Sequence, residues 1–255
     1  MLIRSTWTLT VSEPVLLPRA YGLELVKDLH RRMKLPFAET STPALTYSSI
    51  IGACCASGDF ITFSPDNFYS LSLCGLQDIA SKAISCLELS PTLDFLGAKF
   101  DVVNRENEIT SYENIYHNLV STEPEPVKRF DLHFITPTAF AQGRNRLPLP
   151  IPYLMFRSWL ERWNQFAPVY LGSEELLAFL NDAIILKSHN IQTRLFRLAN
   201  GCVNGFTGKV TLQVLNSTEP LLANVAHLLV SYAQFAGTGM KTRLGMGLTK
   251  VNVVY

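Results

Sequence analysis

The 255-residue chain has no Cys-x-x-Cys pair, no Cys/His spacing typical of zinc, and no run near the ~18 apolar residues of a membrane helix. A basic-then-apolar leader is missing from the N-terminus. The five cysteines (Cys54, Cys55, Cys74, Cys86, Cys202) therefore read as buried thiols of a reducing compartment, with neither disulfides nor metal expected. The product reads as soluble and cytoplasmic, with no membrane partner. Acids are scarce in the last third. After residue 182, Glu219 stands alone against Lys187, Arg194, Arg197, Lys209, Lys241, Arg243 and Lys250. That net of +6 leaves −5 for residues 1–182, within an overall +1. A basic segment in a neutral chain points to a polyanionic partner held by the C-terminal part.

What is present centres on Ala236-Gly237-Thr238-Gly239-Met240-Lys241-Thr242-Arg243-Leu244-Gly245-Met246-Gly247, four glycines within eleven positions with two cations between the pairs. Glycine pairs allow positive φ and close approach of another backbone. Successive N–H groups beside Lys241 and Arg243 would suit phosphates. The spacing is neither a Walker loop, which ends Gly-Lys-Ser/Thr before a helix, nor a dinucleotide fingerprint, which follows a strand. Here a helix precedes the loop and Leu248–Tyr255 reads as a strand. A purely structural glycine turn is the competing reading.

Hydrophobic residues at 47% against 17% charged can build a sizeable core for one large or two modest domains. Leu2–Val11 alternates as a strand, and Tyr21–Met33 follows as a helix. That helix carries Lys27, His30, Arg31 and Lys34 opposite its apolar stripe. Beyond Leu45–Ile51, two strand-like pieces, Phe60–Phe63 and Tyr69–Leu73, meet at the turn Pro65-Asp66-Asn67. Leu76–Ala83 reads as a helix and Leu93–Val103 as a strand. Glu123–Pro126 is the best linker. After it come strand Phe130–Ile135, helices Tyr153–Phe166 and Leu176–Ala183, and strands Ile185–Arg197 and Val210–Leu215 around a glycine-bearing hairpin. A helix opened by Thr218 and Pro220 leads to the glycine loop. Its Asn224, His227, Ser231 and Gln234 read as a polar outer face. Both halves repeat the order strand, helix, strand, strand, helix, strand. The expected fold class is α+β, two tandem ferredoxin-like (βαββαβ) domains, 1–122 and 128–255.

The run Phe130-Asp131-Leu132-His133-Phe134-Ile135-Thr136-Pro137-Thr138-Ala139-Phe140 is followed by Leu147-Pro148-Leu149-Pro150, then by Phe156 through Trp163-Asn164. Together these resemble the C-terminal domain of the CRISPR repeat-processing endoribonucleases, within the repeat-associated RNA-binding superfamily. The terminal Gly-x-Gly-x5-Gly-x-Gly is similar to that superfamily's signature loop. The opening strand, the helix at Tyr21 and Thr46–Gly52 are similar to its N-terminal domain. The resemblance implies cutting of CRISPR precursor transcripts within repeats, without metal or cofactor. The substrate's 2′-hydroxyl would attack the adjacent phosphate, leaving 2′,3′-cyclic phosphate and 5′-hydroxyl ends. Such chemistry needs a base, an acid and cations for the phosphorane.

His30 lies where family members carry the catalytic histidine, although in many of them it sits in the loop after the helix. Lys34, Tyr47, Ser48 and Ser49 are its possible helpers. His133 reads as structural, His227 as ordinary surface and His189 as a lesser RNA contact, while His117, near the linker, suggests no role. Lys27, Arg31, Arg144, Arg146, Arg194, Arg197 and Lys209 are expected to contact RNA. So are Gly237, Gly239, Lys241, Arg243, Gly245 and Gly247 of the loop. Phe196 and Phe206 could stack on bases, though core packing is their expected use. The implied partners are CRISPR repeat RNA, other CRISPR effector subunits and a second copy as a homodimer. The competing function is a non-catalytic RNA-binding subunit of the same fold.

Overall fold

The computed structural model describes residues 1–37, 42–199 and 201–254, so Tyr255 of the expected last strand lies outside it. Strict alternation makes β1 (Leu2–Thr10) a two-faced strand. Ile3, Trp7 and Leu9 enter a core that also takes Leu25, Val26 and Leu29. After β2 (Val15–Pro18), those three residues are supplied by α1 (Gly22–Arg32). Then come β3 (Leu45–Tyr47), β4 (Cys55–Ser57), β5 (Phe60–Phe63), β6 (Tyr69–Gly75), α2 (Asp78–Ser85), β7 (Thr92–Phe95), β8 (Ala98–Thr110) and a short α3 (Tyr112–Tyr116). Five strands form an antiparallel sheet in the order β3-β6-β1-β8-β7. Without β7, this is the ferredoxin-like order.

Two expectations for this half are corrected. Phe60–Phe63 is a strand, but its partners are β2 and β4 in a separate three-stranded sheet. The place beside β6 goes to Leu45–Tyr47, whose three residues are all buried. Period two identifies a strand without naming its neighbour, and three residues are too few to show a period. Leu93–Val103 is not one strand. The chain reverses at Leu96 (φ 48°) and Gly97 (φ 78°), so β7 and β8 form a hairpin. Two successive positive φ angles match the right-handed twist of the flanking strands, a turn usually signalled by Asn-Gly. The cysteine expectation also fails: Cys74 is buried, while Cys54, Cys55, Cys86 and Cys202 are exposed free thiols.

The second half runs β9 (Arg129–Thr138), β10 (Phe140–Gln142), β11 (Asn145–Leu147), α4 (Pro152–Phe166), α5 (Glu174–Ala183), β12 (Ile184–Leu198), β13 (Gly201–Val214), α6 (Pro220–Ala236) and β14 (Thr249–Val254). Its main sheet has the order β12-β13-β9-β14, again ferredoxin-like. The structure is therefore two tandem ferredoxin-like domains. Proline opens both α4 and α6, where its missing N–H costs nothing. Phe156, Trp159, Leu160 and Trp163 of α4 are buried, and the Trp163 ring meets Tyr232 of α6 edge-on at 5.3 Å.

Helix α6 corrects a fourth expectation. Asn224 and His227 are 2% and 4% exposed, so they are not an outer face. The helix shares one core with the C-terminal sheet and with Leu2, Leu76 and Tyr112 of the N-terminal half. Thr46 Oγ1 also donates to Phe235 O at 3.0 Å. A helix covered on two sides must be apolar nearly all round. Asn224 donates to Pro124 O at 3.1 Å, which ties the expected linker to α6.

Candidate active site

His30 occupies the last turn of α1, within the helical register read from the sequence. Its imidazole packs edge-on to Phe37 at 5.2 Å and tilted against Tyr47 at 5.7 Å. Nδ1 is buried with no hydrogen-bond partner among the described residues. Burial holds the His30 pKa below its usual value, the carbonyls of Leu35 and Pro36 oppose this, and the Arg243 charge adds to the lowering. The ring is thus kept neutral and able to accept a proton.

Arg243 reaches this place from the other half. Its guanidinium lies over the face of Phe37, 5.6 Å from the ring centre. Phe37 therefore touches both the histidine and the arginine. Lys241 turns the chain in a left-handed conformation (φ 56°), Thr242–Leu244 make one 3-10 turn, and Gly245 leaves it at φ 103°. The turn sits against the N-terminal half, where a Cβ on Gly245 would lie 3.0 Å from Ser49 N. A Cβ on Gly22, at the start of α1, would lie 3.3 Å from Leu244 O.

The loop is fastened from α4. Trp159 Nε1 donates to Thr238 Oγ1 (2.9 Å), and Gly239 N donates to Ser158 Oγ (2.9 Å). Arg162 Nη2 donates to Gly239 O (2.6 Å), and its Nη1 donates to Ser158 Oγ (2.5 Å). Arg162 is buried with no carboxylate partner among the described residues. The glycines close protein on protein: a Cβ on Gly239 would meet Ala139 O at 2.3 Å, and one on Gly247 would meet Thr238 O at 2.1 Å. Beside the loop opens a cleft of about 470 Å³ lined by Thr42, Arg157, Glu161, Met240, Lys241 and Arg243, among others.

The remaining sequence candidates divide by placement. Tyr47 is buried, its hydroxyl has no partner among the described residues, and burial pushes its pKa up, so it stays protonated. Ser48 is buried and its Oγ accepts from Ser72 N at 2.7 Å. Lys34 stands exposed just past α1 at φ 55°. Lys27 pairs with Glu24 at 2.8 Å and Arg31 with Asp28 at 3.2 Å, surface pairs that a phosphate could replace cheaply. Arg144 is exposed at the β10–β11 turn, and Arg146 donates to Cys202 O at 2.9 Å. Arg194 is exposed, while Arg197 pairs with Asp59 at 3.3 Å. Gly237, Gly239, Gly245 and Gly247 are buried. Phe206 is core, 4.8 Å from Phe134, and half-buried Phe196 packs near Met246.

Three features escaped the sequence reading. Phe37 carried no charge or pattern to mark it. Arg162 lies on the apolar side of α4, and a lone arginine three residues after Trp159 was the available signal. His133, read as structural, is exposed on β9 directly between Lys209 of β13 and Lys250 of β14. Partial burial and then those two charges lower its pKa. Strand register, absent from the sequence, makes this cationic row.

Residues 132–249 match the family model of the CRISPR-associated endoribonuclease Cas6. A protein of that description from Mycobacterium tuberculosis is 27% identical over 146 residues, 57% of this chain and 44% of its own length. Another from Streptococcus thermophilus is 29% identical over 123 residues, 48% of this chain and 50% of its own. The match thus spans about half the length of these curated relatives or less. In fold, the chain is similar to a Thermus thermophilus Cas6 solved as a product complex, with a TM-score of 0.73, 21% identity and 99% of both chains covered. Family signature and curated relatives point the same way, so the chain is similar to CRISPR-associated endoribonucleases in its second half and to solved Cas6 structures in overall fold.

Proposed function

We propose that this chain is a metal-independent endoribonuclease that cuts CRISPR precursor transcripts within their repeats to release guide RNAs. The carrying observation is the meeting of His30 from one half with Arg243 from the other around Phe37. Neutral His30 accepts the proton of the substrate 2′-hydroxyl as the new O2′–P bond forms. The P–O5′ bond breaks, leaving a 2′,3′-cyclic phosphate, and the departing 5′-oxygen takes up a proton. Arg243 offsets the charge of the phosphorane between these events. Lys34 supplies an exposed ammonium four residues beyond His30 as the proton source for the departing oxygen, and buried Tyr47 packs against the imidazole and orients it. Lys241, Arg144, Arg146, Arg194 and Lys209 hold the strand as exposed or half-exposed cations, with Lys27, Arg31 and Arg197 joining once RNA phosphates displace their carboxylates. The division of labour follows the two halves, 1–122 bearing the histidine and 128–255 most of the phosphate contacts. That the Thermus relative is solved as a product complex supports a processing role for this architecture.

Burial of Tyr47 and engagement of Ser48 leave His30 few hydroxyl helpers, which favours as second reading a non-catalytic RNA-binding subunit. Incubation with a repeat RNA separates the two. Cleavage should persist at full rate in excess EDTA and vanish when the single 2′-hydroxyl beside the cut is replaced by hydrogen. Products with 5′-phosphate and 3′-hydroxyl ends would sink the mechanism, and tight binding without cutting would establish the second reading.

A further inference from the structure

A second surface, built from other residues, has the opposite character. Between α5 and the segment leading into α6 lies an open groove of about 600 Å³, floored by Leu171, Leu176, Leu222 and Val225. Phe179 and Leu221 stand on its walls, 63% and 57% exposed. Large apolar side chains exposed together in a concavity usually mark a binding surface. Its rim is acidic. Asp182 and Glu219 line the groove, and Glu174 and Glu175 start the same helix. Residues 167–183 and 215–236, which wall it, contain these four acids and no lysine or arginine. None of the four forms an ion pair with a cation among the described residues. The Thr218 hydroxyl, also lining the groove, is buried without a hydrogen-bond partner among the described residues.

We infer that this groove receives a basic amphipathic helix of a protein partner, with its apolar stripe on Phe179 and Leu221 and its lysines or arginines against Asp182 and Glu219. Such an occupant would lie in the groove through apolar residues spaced i, i+3, i+4 and i+7. Charge decides between occupants. A symmetric second copy would set acid against acid, and an anionic lipid surface or an RNA strand would be repelled by the same rim. A cationic peptide gains from the rim and from the floor.

The test is selection of random peptides of about 16 residues, displayed on phage, against the whole protein, with counter-selection on Phe179→Asp. Enriched peptides should carry net positive charge and helical spacing of apolar residues. Their affinity should weaken about tenfold or more on Phe179→Asp, on Leu221→Asp, and on the double change Asp182→Lys with Glu219→Lys. Both apolar positions are exposed, and matching circular dichroism melts establish that the variants fold. Phe179→Ser serves where Phe179→Asp does not fold. Neutral or acidic winners, or no peptide sensitive to these positions, would overturn the proposal. So would sedimentation showing self-association that Phe179→Asp abolishes, since a second copy would then be the occupant.

Discussion

The two ferredoxin-like halves share a strand order and spend it differently. In the N-terminal half, α1 sends Leu25, Val26 and Leu29 into the core and leaves His30 half-exposed at its end. In the C-terminal half, the corresponding helix α4 buries even an arginine, because Arg162 holds the glycine loop by Gly239 O. One helix presents a half-exposed imidazole and the other braces the segment that brings Arg243 beside it. The same fold thus yields a titratable site on one side and a rigid bracket on the other. Neither half contains the site alone.

The sharpest way to break this contrast is at His30. General acid–base groups contribute about 10²–10⁴-fold, so His30→Ala should slow single-turnover cleavage by that range and leave repeat affinity within a few-fold. A normal rate in this variant would move proton transfer to Lys34 or Tyr47.

The bracket should fail by unfolding before it fails by chemistry. Gly239→Val and Gly247→Val place a Cβ 2.3 Å and 2.1 Å from backbone oxygens at φ 77° and 75°. Strain of about 1–3 kcal/mol from φ alone, with the clash added, should lower the melting temperature sharply. Gly143→Val, at φ 58° with open space around it, carries the φ strain without the clash and should cost visibly less. Equal melting losses at the three positions would contradict the backbone-closure account of the loop.

A smaller effect separates the two loop cations. If each neutralises one phosphate, Lys241→Ala with Arg243→Ala should lower the slope of log affinity against log salt by about 1.4 on single-stranded repeat. Arg243→Ala should also slow cleavage at saturating protein, since its charge stands beside His30, whereas Lys241→Ala should leave that rate nearly intact. Filter binding over a salt series, paired with single-turnover rates, distinguishes them.

The smallest effect concerns pH. Burial lowers the folded-state pKa of His30, on α1, and of His227, on α6. The unfolded chain therefore binds protons first as pH falls through about 6.5, and stability present above that pH is lost below it. Melting curves should drop between pH 7.5 and pH 5, and His227→Gln should flatten the drop by removing the buried share. A slope unchanged in His227→Gln would shift the effect to other groups.

Much of this was legible along the chain. Alternation in Leu2–Thr10, the apolar stripe of α1, and proline before α4 and α6 are local signals, and they specify the elements and their βαββαβ order. Gly-x-Gly spacing marks a loop needing positive φ, and the scarcity of acids after residue 182 marks a basic face. Pairing is not local. Leu45–Tyr47 displaced Phe60–Phe63 beside β6 because its side chains are the ones the core buries there. His227 and Asn224 are interior because α6 has two covered sides, and His133 stands between two lysines because three strands align. The sequence could nominate His30 and Arg243 separately, more than 200 residues apart. Only packing of the glycine loop on α1 brings them to one aromatic ring, since that contact depends on how two separately paired sheets pack across α6.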